Sequence, residues 1–177
     1  MRIISGTHKG RRFQVGSKFK ARPTTDFAKE TLFNVLQNLY EFTDLAVLDL
    51  FSGTGGISYE FASRGANPIF SIEQNIKHYE YIRKNSEALG FGDSINTIKA
   101  NVFSYLPKIN QKFDIIFADP PFDMEETIKL PDLIFHHSLL NTDGIFIFEH
   151  SEDKDFSKHP HFERIVKRGS VYFSFFE

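Results

Sequence analysis

Val47-Leu48-Asp49-Leu50-Phe51-Ser52-Gly53-Thr54-Gly55-Gly56-Ile57 decides the fold. A short apolar run passes through a glycine-rich turn straight into the start of a helical pattern. A run this short and this continuously apolar reads as a strand buried on both faces. In an open parallel sheet, the turn after such a strand lies at the carboxyl edge, where ligands bind. Gly53 and Gly55 have no Cβ, so the backbone there can approach a ligand closely. The competing reading is a tight strand-to-helix connection that binds nothing.

Outward from this stretch the pattern alternates. Strands are predicted over residues 45–51, 68–73, 95–100, 113–119 and 144–150, and helices over 54–64, 75–89 and most of 125–140. A short turn covers 103–106. Residues 162–166 and 171–176 read as a closing hairpin joined near Gly169-Ser170. Upstream, Thr24, Thr25 or Asp26 can cap a helix whose predicted apolar stripe is Phe27, Thr31, Leu32, Val35, Leu36 and Leu39, with Lys29 and Asn38 off it. Apolar strands separated by helices imply an α/β fold. Its sheet is mostly parallel and seven-stranded, with helices on both faces and a C-terminal antiparallel hairpin.

Composition bounds the rest. The 177 residues suit one core, which holds roughly 100–200 residues, plus a small appendage. Cysteine is absent, which excludes disulfides, thiolate metal sites and thiol nucleophiles. No apolar run approaches the ~18–20 residues that span a bilayer. The start of the chain lacks the apolar segment of a secretory signal, and a cytoplasmic monomer is the expectation. The seven histidines show no metal-ligand spacing, so no metal is predicted.

The net charge of −2 conceals an asymmetry. Residues 1–22 hold Arg2, Lys9, Arg11, Arg12, Lys18, Lys20 and Arg22 and no acid. The remainder keeps 14 of the 21 basic residues and all 23 acidic ones. A basic arm on an acidic body is the footprint of a polyanion binder. Two short apolar-containing runs, 2–5 and 12–15, flank Gly6 and Gly10 and read as a β-hairpin. The division predicted is a basic hairpin arm over residues 1–25 and a second domain over 26–177.

Two constellations carry chemistry. Completing a dinucleotide fingerprint would need glycine at position 58, and Ser58 stands there, which argues against a pyrophosphate. Glu73 ends the next strand, 20 residues after Gly53. There it can accept both hydroxyls of a ribose, while Asp49 suits an ammonium. A ligand with a ribose, a cationic amine and no phosphate fits S-adenosylmethionine better than a dinucleotide. The second constellation is Asp119-Pro120-Pro121-Phe122 at the end of a buried strand. Consecutive prolines fix φ and remove two donors, leaving carbonyls to face a ligand. Asp119 and the Pro120 carbonyl can hold the two hydrogens of an exocyclic base amine, and Phe122 can stack on the base. Guanine and adenine both satisfy this set.

Several segments together resemble the bacterial RsmD family, Rossmann-like class I methyltransferases that act on guanine N2 of small-subunit ribosomal RNA. They are Arg22-Pro23-Thr24-Thr25-Asp26, Glu30-Thr31-Leu32-Phe33-Asn34-Val35-Leu36, the Asp49–Gly56 turn, Ser63-Arg64-Gly65-Ala66 and Asp119-Pro120-Pro121-Phe122. The resemblance implies that Asp49, Phe51, Ser52, Gly53, Thr54 and Gly55 surround the methionine part of S-adenosylmethionine and that Glu73 holds its ribose. It implies that residues 22–25, Thr24 among them, cover the cofactor. Asn101 stands where the family has an acid that reads the cofactor's adenine. Arg2, Lys9, Arg11, Arg12 and Arg22 become the expected contacts to 16S ribosomal RNA within an assembling small subunit. Two alternatives are adenine N6 methylation of DNA and a non-catalytic RNA-binding assembly factor that keeps the cofactor fold.

Overall fold

The computed structural model describes residues 1–13 and 26–177. The predicted hairpin residues beyond Phe13, with Arg22, Thr24 and the end of the arm, lie outside the described residues. In chain order the elements are α1 (Asp26–Leu36), β1 (Val47–Leu50), α2 (Gly56–Ser63), β2 (Ile69–Glu73), α3 (Ile76–Ala88) and β3 (Ile95–Lys99). Then come α4 (Val102–Tyr105), β4 (Phe113–Ala118), α5 (Leu130–His136), β5 (Leu140–His150), β6 (Phe162–Arg168) and β7 (Val171–Phe176). One seven-stranded sheet has the order β3-β2-β1-β4-β5-β7-β6. β3 to β5 run parallel, and β7 pairs antiparallel with both β5 and β6. This is the doubly wound arrangement the alternating pattern implies. Its reversal of strand order lies between β1 and β4, where such sheets bind ligands.

Two apolar layers enclose the sheet. Val47, Ile115, Ile147 and Phe173 face one way, against Leu32, Phe33 and Leu36 of α1, Tyr59 and Phe61 of α2, and Ile82 of α3. Leu48, Leu50, Ile116, Phe148 and Phe176 face the other, against Val102 of α4 and Ile134 of α5. Aromatic rings fill much of the space: Phe33 meets Phe61 edge-on with centroids 4.7 Å apart. Offset and edge contacts of this kind suit the ring quadrupole.

Three expectations need correction. The buried stripe of α1 is Ala28, Lys29, Leu32, Phe33 and Leu36, rotated from the one expected. Phe27 and Leu39 are exposed, and Leu39 lies past the helix end. The cause is Lys29, which is buried because Glu60 of α2 offers it a carboxylate 3.6 Å away. Residues 125–140 are not one helix either. A 3₁₀ segment, Glu125–Lys129, precedes α5, with Pro131 in the first turn, where a missing N–H is harmless. Finally, β5 starts at Leu140 rather than 144. The expected helix runs to 140 and the expected strand begins at 144. Gly144 instead sits within the strand, where a Cβ would approach the Phe113 carbonyl oxygen to 2.9 Å, beside a register shift in the β4–β5 pairing.

The N-terminal segment is docked on the body. Arg2 and Arg12 form an antiparallel bridge, and Ile3 N–H donates to Arg11 O at 2.9 Å. The turn lies against α2: Thr7 N–H donates to Ser63 O at 2.7 Å and His8 N–H to Ser63 Oγ at 2.9 Å. Gly6 has φ +80° and touches Ser63 so closely that a Cβ would overlap its carbonyl. Ile4 and Ser5 N–H groups both donate to the carboxylate of Glu60, at 2.7 and 3.0 Å.

Candidate active site

The site grows from the turn after β1. Phe51 adopts φ +60°, a left-handed conformation uncommon for a bulky residue. Such strain costs roughly 1–3 kcal/mol and gathers at functional sites. The Phe51 ring rests edge-on against Phe103. Gly53 at φ +55° and Gly55 at φ +82° continue the reversal into α2. The two glycines differ in purpose. A Cβ on Gly53 would meet only the Phe51 carbonyl, at 3.8 Å, so its surroundings leave room for a ligand. A Cβ on Gly55 would press on the Tyr59 ring at 2.8 Å and on Ile82 at 3.1 Å. Gly55 is therefore required by the fold's own packing.

Asp49 is buried at the end of β1 and reaches the first turn of α2. Its Oδ2 accepts from Ser58 Oγ at 2.5 Å, and Ser58 Oγ lies 2.5 Å from Ser71 Oγ on β2. The Ser58 backbone N–H also donates to this carboxyl. Ser58 thus has a positive role that its departure from the glycine fingerprint did not reveal. Burial pushes the Asp49 carboxyl up to about 7; the hydrogen bonds from Ser58 and Ser52 pull it back, and the nearby Asp119 charge adds to the rise. Ser52 Oγ donates to the Asp49 carbonyl at 2.7 Å.

Glu73 closes the turn from the next strand. Its Oε2 accepts from Gly53 N–H at 2.9 Å and its Oε1 from Asn75 N–H at 2.6 Å. Each oxygen keeps a further lone pair for a hydroxyl donor. Thr54 is buried, with its Oγ1 3.7 Å from the Met1 sulfur, which brings the N-terminus to the turn. Asn101 sits at the end of β3 as the cap of α4: its Oδ1 accepts from Ser104 N–H at 3.2 Å. Its Nδ2 donates to Gln74, the residue after Glu73.

Asp119, Pro120, Pro121 and Phe122 leave the carboxyl end of β4. Asp119 is half-buried, Pro120 is buried, and Phe122 is 45% exposed. Lys154 Nζ donates to the Phe122 carbonyl at 3.3 Å and to Thr127 Oγ1 at 3.3 Å, tying the loop after β5 to this segment. The described turn therefore presents Asp49, Glu73 and Asp119 around an open glycine. An acid-lined turn fits a cationic, hydroxyl-bearing ligand and repels a pyrophosphate. No group of three or more metal-ligating side chains forms among the described residues.

Of the expected basic contacts, Lys9, Arg11 and Arg12 are exposed. Arg2 is held by α1 instead, 3.1 Å from Glu30 and 3.5 Å from Asp26, so two acids offset its charge.

The family model described as conserved hypothetical protein 95 matches residues 1–177. The chain belongs to this family. It is the RsmD family, whose motifs the sequence carries, and the chain is one of its methyltransferases. Ribosomal RNA small subunit methyltransferase D of Buchnera aphidicola subsp. Baizongia pistaciae is 36% identical over 150 residues, covering 83% of this chain and 74% of that protein. A putative rRNA methyltransferase of Bacillus subtilis, YlbH, is 30% identical over 156 residues, covering 86% and 84%. Among solved structures, the putative methyltransferase yhhF from Escherichia coli superposes with a TM-score of 0.85 at 28% identity, over 99% of this chain and 96% of that one.

Proposed function

We propose that this RsmD-family chain methylates the exocyclic N2 amine of a guanine in 16S ribosomal RNA, with S-adenosylmethionine as donor, acting as a cytoplasmic monomer on an assembling small subunit. One observation carries the reading. Asp119-Pro120-Pro121-Phe122 leaves β4 beside the acid-lined glycine turn of β1, so an amine-holding segment adjoins a pocket suited to a cationic nucleoside. Relatives named as small-subunit ribosomal RNA methyltransferases support the substrate class.

Bound S-adenosylmethionine supplies an activated methyl group on its sulfonium sulfur. Asp49 would meet its ammonium, Glu73 would accept from its ribose hydroxyls, and Gly53 would let the backbone close on it. Phe51, Ser52, Thr54 and Gly55 shape that turn, and Asn101 would border the base. The target guanine leaves its stack at a cost of a few kcal/mol and lies on Phe122. Asp119 and the Pro120 carbonyl hold the two amine hydrogens while Pro121 keeps the segment rigid. The nitrogen so held would take the methyl group that the sulfonium supplies, with the sulfur leaving as a neutral thioether. Asp119 stabilises the positive charge building on nitrogen, and the surplus proton leaves to Asp119 or water. Alignment of this kind can supply roughly 7–11 kcal/mol of barrier reduction. Lys9, Arg11 and Arg12 contact phosphates, with Arg2 tying the N-terminal turn to α1.

Nucleoside mass spectrometry of 16S ribosomal RNA from cells with and without the gene tests the reaction. Loss of N2-methylguanosine is expected; an unchanged RNA profile with lost N6-methyladenine in DNA would overturn it. In Asp119→Ala, single-turnover transfer should fall about 100-fold or more while cofactor affinity holds. Intact transfer with lost cofactor binding would remove Asp119 from the chemistry.

A further inference from the structure

The Asp-Pro-Pro-Phe segment recognises an amine and leaves the choice of purine open. A second acid stands beside it. Glu149 lies on β5, one residue past the paired positions Ala118 and Phe148. Side chains alternate along a strand, so Glu149 shares the sheet face of Ile147, while Asp119 is the first residue after β4 ends at Ala118. Adjacent strands lie about 4.8 Å apart, which places Glu149 next to Asp119 at the carboxyl rim. On its other side Glu149 is paired with the buried Phe173 of β7. Glu149 itself is only 4% exposed, and Ile147 and Phe173 are among its neighbours on this face. A carboxylate is buried at this depth only where polar groups meet it.

Resting on the reading above, we infer that Glu149 is the residue that selects guanine, by accepting the N1–H of the extruded base while Asp119 and Pro120 hold its amine. Guanine carries donors side by side at N1 and N2. Adenine carries a donor at N6 and a lone pair at N1. An acceptor beside the amine-holding segment therefore complements guanine and repels adenine. A carboxylate has about four acceptor positions, so it can serve a protein neighbour and a base edge together. Glu149 is a specificity-determining residue here, because the bond to the methyl group forms at N2 and not at N1.

The test uses 16S ribosomal RNA carrying either guanine or 2-aminopurine at the mapped position. 2-Aminopurine keeps the amine and replaces N1–H by a lone pair. Wild-type protein should strongly favour guanine. Glu149→Gln presents an amide N–H to that lone pair, so its guanine-to-2-aminopurine ratio should fall about tenfold or more, the scale of one well-made base contact. Glu149→Asp keeps the acceptor and should keep the preference. Both rates are read on the same protein preparation, so partial loss of folded variant cancels from the ratio. Guanine methylation by wild type with an unmoved ratio in Glu149→Gln overturns the role of Glu149 alone. Failure of the wild type to methylate the guanine amine overturns the functional reading, and this inference with it.

Discussion

At the residue scale, Gly53 and Gly55 make opposite predictions from the same letter. Gly55→Ala drives a Cβ into Tyr59 at a positive φ, so unfolding in urea should show a loss of about 2–3 kcal/mol. Gly53→Ala is also at a positive φ but overlaps nothing, so it should lose only the backbone share, about 1 kcal/mol, while cofactor affinity, read by calorimetry, collapses. Equal stability losses would contradict this division. Asp49 predicts a pH dependence. Its folded carboxyl is raised from 3.8 to about 7, so between those values the native state holds a proton that the unfolded state has released. Its contribution to stability is therefore greatest below about pH 4 and declines as pH rises to about 7. Melting temperatures at pH 5 and pH 8 should show wild type losing stability relative to Asp49→Asn as pH rises. Binding of the cationic cofactor favours the ionised carboxylate, so affinity should tighten up to about pH 7, with a proton released to buffer. A flat profile would remove Asp49 from the ammonium.

At the scale of elements, the buried Glu60 of α2 joins three pieces of chain. It accepts from Ile4 and Ser5 of the hairpin, from Arg64 Nε at 2.9 Å, and faces Lys29 of α1 at 3.6 Å. Lys29 Nζ also donates to the Arg2 carbonyl. Burial holds the Lys29 ammonium below its usual range, and Glu60 pulls it back up. Removing one partner of a buried ion pair costs about 3–5 kcal/mol, because the other charge is stranded. Glu60→Ala should show that full loss in urea and expose the amides of residues 1–13 to hydrogen exchange. Lys29→Met should cost less than half as much, since Glu60 keeps Arg64 and both hairpin N–H groups. Equal losses would mean that Lys29, not Glu60, organises the joint.

At the scale of the whole molecule, charge separates a basic N-terminus from an acidic body. The docking onto Glu60 makes deletion of the hairpin a poor probe of RNA binding, because the buried carboxylate would be left without its two hairpin donors. Lys9, Arg11 and Arg12 are exposed, and their replacement by Gln leaves the docking intact. The triple variant should bind ribosomal RNA more weakly with a flatter salt dependence, by about 0.7–0.9 in slope for each phosphate no longer neutralised. Cofactor affinity should not change. An unaltered slope would move the RNA surface elsewhere. Arg168, stacked 3.6 Å from the Phe27 ring centroid, joins the closing hairpin to α1.

Period and punctuation alone determined the order of strands and helices, the parallel sheet with its closing hairpin, the glycine turn and the Asp-Pro-Pro-Phe segment. These are local: a buried strand is continuous in the chain, and a turn's glycines and prolines act on their own dihedrals. The rotated stripe of α1 was not local, because Lys29 faces inward only where Glu60, 31 positions on, supplies its charge. Residues 141–144 joined the strand because Leu140 pairs with Phe113 and Ile145 with Ile115, which draws the stretch between them across a register shift. Ser58 read as a missing glycine until Asp49 and Ser71 came within 2.5 Å of its hydroxyl. Glu149 read as an ordinary strand residue until the pairing of Phe148 with Ala118 brought the ends of β5 and β4 together. A chain carries its periodicities in order, but which charge meets which is decided by contacts between residues far apart along it, and these exist only once the sheet has closed.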